Sequence, residues 1–228
     1  MMNITLKPWT TKDANRYIEM MEHVDFSYED EELRCTDISE AQRQLKRMQV
    51  GEDYNGDFYR AVFLDGRLVG HVQVVRQDGV RSGDGHVGCM LVSEACHKGV
   101  GTEAVRQMVE TAFRRRSFDR LTAIVYHPNR ASARMVEKVG FVLEVTLRRT
   151  VSKGDGVYYD ALVYGLLRED TGIGTSDCCE PEDELAPEEQ AAIEPTLVTH
   201  RPEEWGIFGG SEREWKVENG KRKVENGE

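Results

Sequence analysis

The chain has 228 residues, of which 39% are hydrophobic and 31% charged, and its formal net charge is −11. This length fits one domain with an appendage, and no apolar run reaches the roughly 18–20 residues of a membrane span. Residues 1–170 carry 24 basic and 26 acidic side chains, whereas residues 171–228 carry 6 and 15. A nearly neutral body followed by an acidic segment offers no electrostatic surface for nucleic acid.

The cysteines indicate a reducing compartment. There are five, an odd number without CxxC spacing: Cys35, Cys89, Cys96, Cys178 and Cys179. This pattern predicts thiols rather than disulfides or structural zinc, so no metal site is expected. The N-terminal sequence MMNITLKPWTTKD also lacks the apolar core of a signal peptide. We therefore expect a cytoplasmic protein without a membrane partner, and the sequence assigns no oligomeric state.

The N-terminal part of the chain is predicted to contain a strand, two amphipathic helices and a hairpin, at 4–9, 11–24, 38–50 and 57–79. Ser39 is the expected N-cap of the second helix. The hairpin turns at Asp65-Gly66, a pair that favours a type I′ turn.

Strands and helices then alternate. The predicted elements are a strand at 86–92, a helix at 100–116, a strand at 121–127, a helix at 131–140, and strands at 141–151 and 157–167. The order β-β-β-α-β-α-β-β predicts a mixed α/β sheet, and the nearly continuous apolar run at 121–127 predicts a central strand. Residues 171–228 have few apolar side chains and four of the six prolines. We expect a domain over residues 1–170 and a disordered acidic tail over 171–228.

Two glycines, Gly99 and Gly101, stand at the threshold of a predicted helix in HKGVGTEAVRQMVE. Glycine costs roughly 1 kcal/mol relative to alanine within a helix, so the pair needs a reason. A helix start presents about four unpaired N–H groups and a partial positive charge, which suit a phosphate. The chain has no GxxxxGK[ST] pattern, which excludes a P-loop. The letters GVGTEA fit a dinucleotide fingerprint, but SEACHK separates them from the preceding strand.

Three segments in order resemble the GNAT acetyltransferases: HKGVGTEAVRQMVETAF, YHPNRASARMVEKVGF and LRRTVSKGDGVYYDALVYGLL. The resemblance covers nearly all of residues 2–170. It is closest to the branch that contains the ribosomal-protein alanine and serine N-acetyltransferases. It implies an acyl-CoA N-acyltransferase fold whose central strands splay apart. It also implies direct transfer of an acetyl group from acetyl-CoA to a primary amine, on a protein N-terminus or a small molecule.

The resemblance implies where the coenzyme binds. Pantetheine would lie between the splayed strands, along the backbone of Cys89, Met90, Leu91 and Val92. The pyrophosphate would lie on N–H groups of the glycine loop (residues 96–102), which consists of Cys96, His97, Lys98, Gly99, Val100, Gly101 and Thr102. Asn129 and Ser132 would contact the coenzyme from the following helix, which Asn129 would also cap. The family usually has Arg or Gln at the position of Cys96, so weaker binding is expected here.

Two side chains are candidates for proton transfer. His86 opens the predicted strand at 86–92, at a position where the branch commonly has Glu, and its imidazole could accept a proton. The alternative is a solvated histidine at a strand end. Ser132 is the candidate acid, because Val136 replaces the family's tyrosine; the alternative is a local backbone bond of its hydroxyl. A backbone N–H near Leu91 would stabilise the oxyanion, as the family implies.

Other readings remain open. His71, His97 and His127 are weaker candidates for the base. The departures at His86, Cys96 and Val136 leave room for a non-catalytic acyl-CoA-binding module whose acidic tail recruits a partner. The acids at 29–32 either attract a cationic amine or are solvated charges at a helix end.

Overall fold

Seven strands form one mixed sheet in the spatial order β1-β2-β3-β4-β5-β7-β6. Their ranges are β1 Ile4–Pro8, β2 Phe58–Leu64, β3 Arg67–Arg76, β4 Asp84–Leu91, β5 Arg120–Tyr126, β6 Val142–Ser152 and β7 Tyr158–Leu167. All neighbours are antiparallel except β4 and β5, which are parallel. The mixed α/β sheet is confirmed, and the strand predicted to be central lies inside the sheet as β5.

Four helices accompany the sheet: α1 Ala14–Glu22, α2 Ile38–Val50, α3 Val100–Arg115 and α4 Arg130–Val139. The structure, a computed structural model, describes residues 2–24, 26, 34–77, 83–115, 118–152, 157–173, 216–218 and 221–223. The acids at 29–32, two of the cysteines and almost all of the predicted tail lie outside the described residues. Among the described helices, none combines the length and apolar composition that crossing a bilayer requires.

Local sequence signals account for several element boundaries. Asp65 and Gly66 have φ of 48° and 85°, as a type I′ turn requires. The prediction that Ser39 caps α2 is wrong: the Asp37 carboxylate accepts hydrogen bonds from the amides of Ser39 and Glu40. A carboxylate two residues upstream of Ser39 reaches both amides, and its negative charge interacts favourably with the positive end of the helix dipole. The Asn129 side chain does cap α4.

The two faces of the sheet are covered by different helices. Gly101, at the start of α3, lies against Leu91 of β4, so α3 covers the face that Leu91 shares. On the opposite face, Trp9 joins Tyr17 of α1 to His71 of β3, with an edge-on Trp9–Tyr17 ring pair at 5.2 Å. Side chains alternate along a strand. Neighbouring residues of β3 and β4 therefore contribute in turn to two different environments.

The chain divides into two compact units, Met1–Glu182 and Asp183–Glu228. The first contains the sheet and the four helices. In the second, strands β8 (Lys216–Glu218) and β9 (Lys221–Lys223) pair antiparallel. They fall in the near-duplicated sequences WKVENGK and RKVENGE.

Candidate active site

The two parallel strands of the sheet separate after a short pairing. Residues Asp84–His86 of β4 pair with Arg120–Thr122 of β5, and the pairing ends there. Beyond it, β4 follows β3 as far as Leu91, while β5 follows β7 along its whole length. Because each strand stays bonded to its outer neighbour, a gap opens between Val87–Leu91 and Ala123–Tyr126. We call this gap the wedge, and it confirms the predicted splaying.

The wedge exposes a strand edge to which an extended ligand could bond. Along Val87–Leu91 one edge of β4 is paired with β3, whereas no strand of the described part of the chain pairs with the edge toward β5. Backbone N–H and C=O groups on such an edge can bond an added extended chain. The predicted Val92 differs, since its amide donates to the Val69 carbonyl at 2.9 Å and its carbonyl accepts from the Ala95 amide at 2.9 Å. The part of β4 that borders the wedge therefore ends at Leu91.

The glycine loop leads directly into α3. His97 and Gly99 are left-handed, with φ of 60° and 83°, and both are exposed. The first amide of α3 to bond backward is that of Glu103, which donates to the Gly99 carbonyl at 3.1 Å. The amides of Val100, Gly101 and Thr102 precede this bond, so they occupy the helix positions that have no intrahelical acceptor. The predicted anion site therefore has the geometry of a helix start.

The two glycines have different physical reasons. Gly99 needs its left-handed backbone, and a Cβ there would meet nothing nearer than the Met2 methyl at 3.8 Å. Gly101 is conformationally ordinary, but a Cβ there would lie 2.9 Å from the Met135 sulfur and 3.4 Å from Leu91 Cδ1. Gly99 thus shapes the loop. Gly101 lets α3 approach both α4 and the strand that borders the wedge.

His86 lies at the vertex of the wedge. It pairs with Thr122, the last residue of β5 that pairs with β4. His86 was predicted to open its strand, but β4 begins two residues earlier, at Asp84. Its Nε2 is buried and has no hydrogen-bond partner among the described residues. Burial lowers the pKa of His86, while the nearby Asp84 carboxylate acts in the opposite direction. A neutral imidazole near pH 7 with one uncommitted nitrogen is the result.

An ion-pair network ties the vertex together. The Arg120 guanidinium bonds the Glu144 carboxylate, with Nη1 to Oε1 at 2.7 Å, and its Nε lies 3.7 Å from Asp84 Oδ2. Asp84 also accepts a hydrogen bond from the Thr122 hydroxyl at 3.1 Å. These contacts join β4, β5 and β6 at the end of the sheet where the wedge closes.

Asn129 and Ser132 lie at the opposite, open end of the wedge. The Asn129 amide donates to the carbonyl of Tyr126, the last residue of β5, at 2.8 Å, and its side chain accepts from the Ser132 amide at 3.1 Å. Ser132 is half-buried in the first turn of α4. The four residue steps along β5 from Thr122 to Tyr126 span roughly 13 Å. The structure therefore does not bring His86 and Ser132 together.

The remaining histidines occupy distinct environments. His127 follows β5 and is exposed, with its amide bonded to the Asp160 carbonyl at 2.9 Å. His71 is fully enclosed beside Trp9 and Tyr59. Val136, at the position where the family has a tyrosine, is buried in the core beneath α4.

Gln73 was missed by the sequence interpretation. Its carboxamide receives a hydrogen bond from His71 and lies over Gly88, a wedge residue of β4. The signal was present in the segment GHVQVV, where His71 and Gln73 alternate with valines and so share one face of an otherwise apolar strand.

The described residues contain no group of three or more His, Cys, Asp or Glu arranged to hold a metal ion. Cys35, Cys89 and Cys96 are thiols. Cys89 lies on the wedge strand, and the Cys96 thiol donates to the Val92 carbonyl at 3.6 Å.

Residues 3–142 match the family model described as an acetyltransferase (GNAT) domain. The Probable N-acetyltransferase YjcK of Bacillus subtilis (strain 168) is 30% identical over 175 residues, which cover 73% of this chain and 95% of that protein.

Solved structures share the fold at lower identity. The Microcin C7 self immunity acetyltransferase MccE, in complex with acetyl-CoA and AMP, has a TM-score of 0.63 at 17% identity, covering 72% of this chain and 92% of that one. A ribosomal-protein-S5-alanine acetyltransferase from Vibrio fischeri has a TM-score of 0.62 at 20% identity, covering 73% and 94%. At these identities the likeness is one of fold.

Proposed function

Because the chain belongs to the acetyltransferase (GNAT) family and is an acetyl-CoA-dependent N-acetyltransferase, we propose that it transfers the acetyl group directly to a protein N-terminus or a small-molecule amine. The observation that carries this proposal is the wedge beside the start of α3. One feature offers a strand edge to pantetheine and the other offers helix amides to a pyrophosphate. The non-catalytic alternative is not retained.

In this proposal, acetyl-CoA occupies both features at once. Its pyrophosphate lies on the amides of the glycine loop, and its pantetheine runs beside Cys89–Leu91. Val92 contributes packing rather than backbone bonds, since its amide and carbonyl are already engaged. Asn129 and Ser132 close the open end from α4. The thioester is thereby carried toward the vertex, where His86 lies.

The reaction needs one proton removed and one returned. The acceptor nitrogen attacks the thioester carbon, the C–S bond breaks, and the proton lost from the nitrogen passes to His86 Nε2 directly or through one water. The lowered pKa of His86 keeps its imidazole neutral near pH 7 and able to accept. A backbone N–H on the wedge edge of β4 stabilises the oxyanion close to His86, because the predicted N–H near Leu91 is five residues, roughly 16 Å, from His86 along the strand.

Departure of the thiolate requires only weak acid catalysis. A thiol with a pKa of about 8.5 leaves readily without a strong donor. Ser132 is the proposed source of that proton. Because the nitrogen and the sulfur are bonded to the same carbon beside His86, a proton from Ser132 at the open end must reach the sulfur through water.

We also propose that this enzyme belongs to the ribosomal-protein N-acetyltransferase branch. The three family segments support this placement. Residues 1–170 are proposed as the acetyltransferase domain and 171–228 as an acidic tail. The thiols Cys35, Cys89 and Cys96 are consistent with a reducing cytoplasm.

The proposal is tested by measuring release of free coenzyme thiol with a panel of amines and N-terminal peptides. We expect turnover that depends on both acetyl-CoA and one acceptor class, together with loss of positive charge on the acetylated product. Hydrolysis of acetyl-CoA at the same rate with and without every acceptor would contradict direct transfer to an amine.

A further inference from the structure

A chain of hydrogen bonds crosses the sheet face opposite α3. The Trp9 indole N–H donates to His71 Nδ1 at 2.8 Å, and His71 Nε2 lies 3.1 Å from Gln73 Oε1. His71 is 1% exposed, and burial lowers its pKa to about 4. The imidazole is therefore neutral at physiological pH and carries one proton on one nitrogen.

The donors and acceptors in this series of hydrogen bonds fix the orientation of the Gln73 carboxamide. An indole nitrogen can only donate, so His71 Nδ1 must accept. The single proton of the neutral ring is then on Nε2, which must donate. Only the carboxamide oxygen of Gln73 can accept it, so the NH₂ group of Gln73 points away from His71. Trp9 thus determines which way a carboxamide two residues beyond His71 is turned.

The NH₂ group of Gln73 lies over the wedge strand. Gln73 pairs with Gly88, and its Nε2 is 3.2 Å from the position that a Cβ of Gly88 would occupy. Any side chain at Gly88 would displace the carboxamide. His86 is the last residue of β4 that pairs with β5, and Gly88 lies two residues beyond it. The NH₂ group of Gln73 is therefore beside the wedge. It has no hydrogen-bond acceptor among the described residues.

This face of the wedge is the one that holds the proposed base. Alternation along β4 puts His86, Gly88 and Met90 on the face opposite Leu91, and Leu91 faces the start of α3. The proposed pyrophosphate site is at that helix start. An acceptor amine that gives its proton to His86 must therefore approach from the side where Gln73 presents two N–H donors.

We propose that Gln73 donates a hydrogen bond to a carbonyl oxygen of the acceptor, close to its reacting amine. The inference rests on the proposed acetyl transfer and narrows its acceptor to an α-amino carbonyl compound, such as the N-terminal residue of a peptide. In such a compound the carbonyl is one carbon away from the amine. A polyamine has no oxygen to accept from Gln73, and its ammonium groups would oppose the outward N–H groups.

The test is a steady-state comparison of two acceptors, seryl-alanine amide and butane-1,4-diamine, with acetyl-CoA and the full chain. Gln73→Glu keeps the acceptor oxygen for His71 but turns a second oxygen toward the wedge, and Gln73→Met removes both polar atoms. Gln77→Glu, an exposed glutamine just after β3, is the matched charge control. Trp9→Phe removes the donor that sets the orientation.

We expect the wild-type protein to prefer the dipeptide amide. Both Gln73 variants should lower kcat/KM for it by about tenfold, mainly through KM, because a binding hydrogen bond has been lost. The diamine should be unaffected by Gln73→Met and used better by Gln73→Glu. Trp9→Phe should lower dipeptide use by a smaller factor, and Gln77→Glu should change nothing.

Three results would overturn the inference. One is an equal loss of kcat/KM for both acceptors in the Gln73 variants. The N–H groups of Gln73 would then bond the acetyl oxygen or stabilise the fold instead of binding the acceptor. Another is a wild-type preference for the diamine. If neither acceptor is turned over, the proposed transfer to these amines fails, and calorimetric binding to the coenzyme complex then decides the role of Gln73. Dipeptide binding that Gln73→Glu abolishes would support it, and binding that is unchanged would refute it.

Discussion

The Arg120 guanidinium and the Glu144 carboxylate pair directly above Gly165, a residue of the strand between theirs. Arg120 Nη1 lies 2.7 Å from Glu144 Oε1, and a Cβ on Gly165 would lie 2.7 Å from Arg120 Nη2 and even closer to Glu144. The central strand of the three has no side chain at this point, so the ion pair can cross it. The pair holds β5, β7 and β6 together at the vertex of the wedge.

Gly165→Ala should therefore destabilise the fold. Overpacking costs about 1–3 kcal/mol in general, and here the inserted methyl group would push the ion pair off the sheet. Urea unfolding measures the change. In a Glu144→Ala background the same substitution should cost less, because the nearest clashing group is gone. An equal cost in both backgrounds would show that the glycine is needed for another reason.

Replacing His86 should remove the acidic limb of the rate profile. General-base catalysis contributes about 10²–10⁴-fold, so His86→Gln should lower kcat by at least about a hundredfold. In the wild type, kcat should decrease toward acid with a midpoint below pH 6.5, because burial lowers the pKa of this imidazole. His127→Gln, at an exposed position, is the control. An unchanged limb in His86→Gln would locate the base elsewhere.

His71 should make the fold sensitive to mild acid. The unfolded imidazole takes up a proton below pH 6.5, whereas the buried ring does not until about pH 4. The unfolded state thus binds more protons in this window, and the free energy of unfolding falls as the pH is lowered through it. The shift from 6.5 to about 4 corresponds to a loss on the order of 3 kcal/mol.

Unfolding in urea at pH 7 and pH 4.5 checks this prediction, together with the proton NMR titration of the His71 ring in the wild type. His97→Gln, in the exposed glycine loop, should keep the full pH dependence. A His71 ring that titrates near 6.5 would contradict the buried neutral state, and with it the orientation of Gln73.

Substitutions at Gly99 that change only the backbone preference test whether the glycine loop binds the coenzyme. Alanine at a left-handed position costs roughly 1–2 kcal/mol, while asparagine tolerates that region better. Gly99→Ala should weaken acetyl-CoA binding about tenfold by calorimetry as the loop shifts. Gly99→Asn should restore most of the affinity. Equal affinities in all three proteins would mean that this loop does not hold the coenzyme.

The sequence predicted the order and type of the elements because their signals are local. The helix at 38–50 matches α2, and the Asp65-Gly66 turn and the Asn129 cap are confirmed. The Ser39 cap was wrong because two residues that can both cap stand close together. Only the structure shows which side chain reaches the free amides.

The candidate site was predicted where a family motif marks it and missed where long-range packing creates it. The glycine loop and the splayed strands followed from the resemblance, and the splaying is confirmed. His86 was predicted to open its strand, with a solvated strand end as the alternative, yet β4 begins at Asp84 and pairing with β5 encloses His86. Gln73 depends on Trp9, a residue 64 positions earlier in the chain, and no local pattern connects the two.

The most direct test is a crystal structure of the full chain with acetyl-CoA. We predict pyrophosphate oxygens within hydrogen-bond distance of the Val100, Gly101 and Thr102 amides, and pantetheine along the β4 edge between Val87 and Leu91. A pyrophosphate bound away from the start of α3, or β4 and β5 paired beyond His86 with nothing between them, would contradict this account.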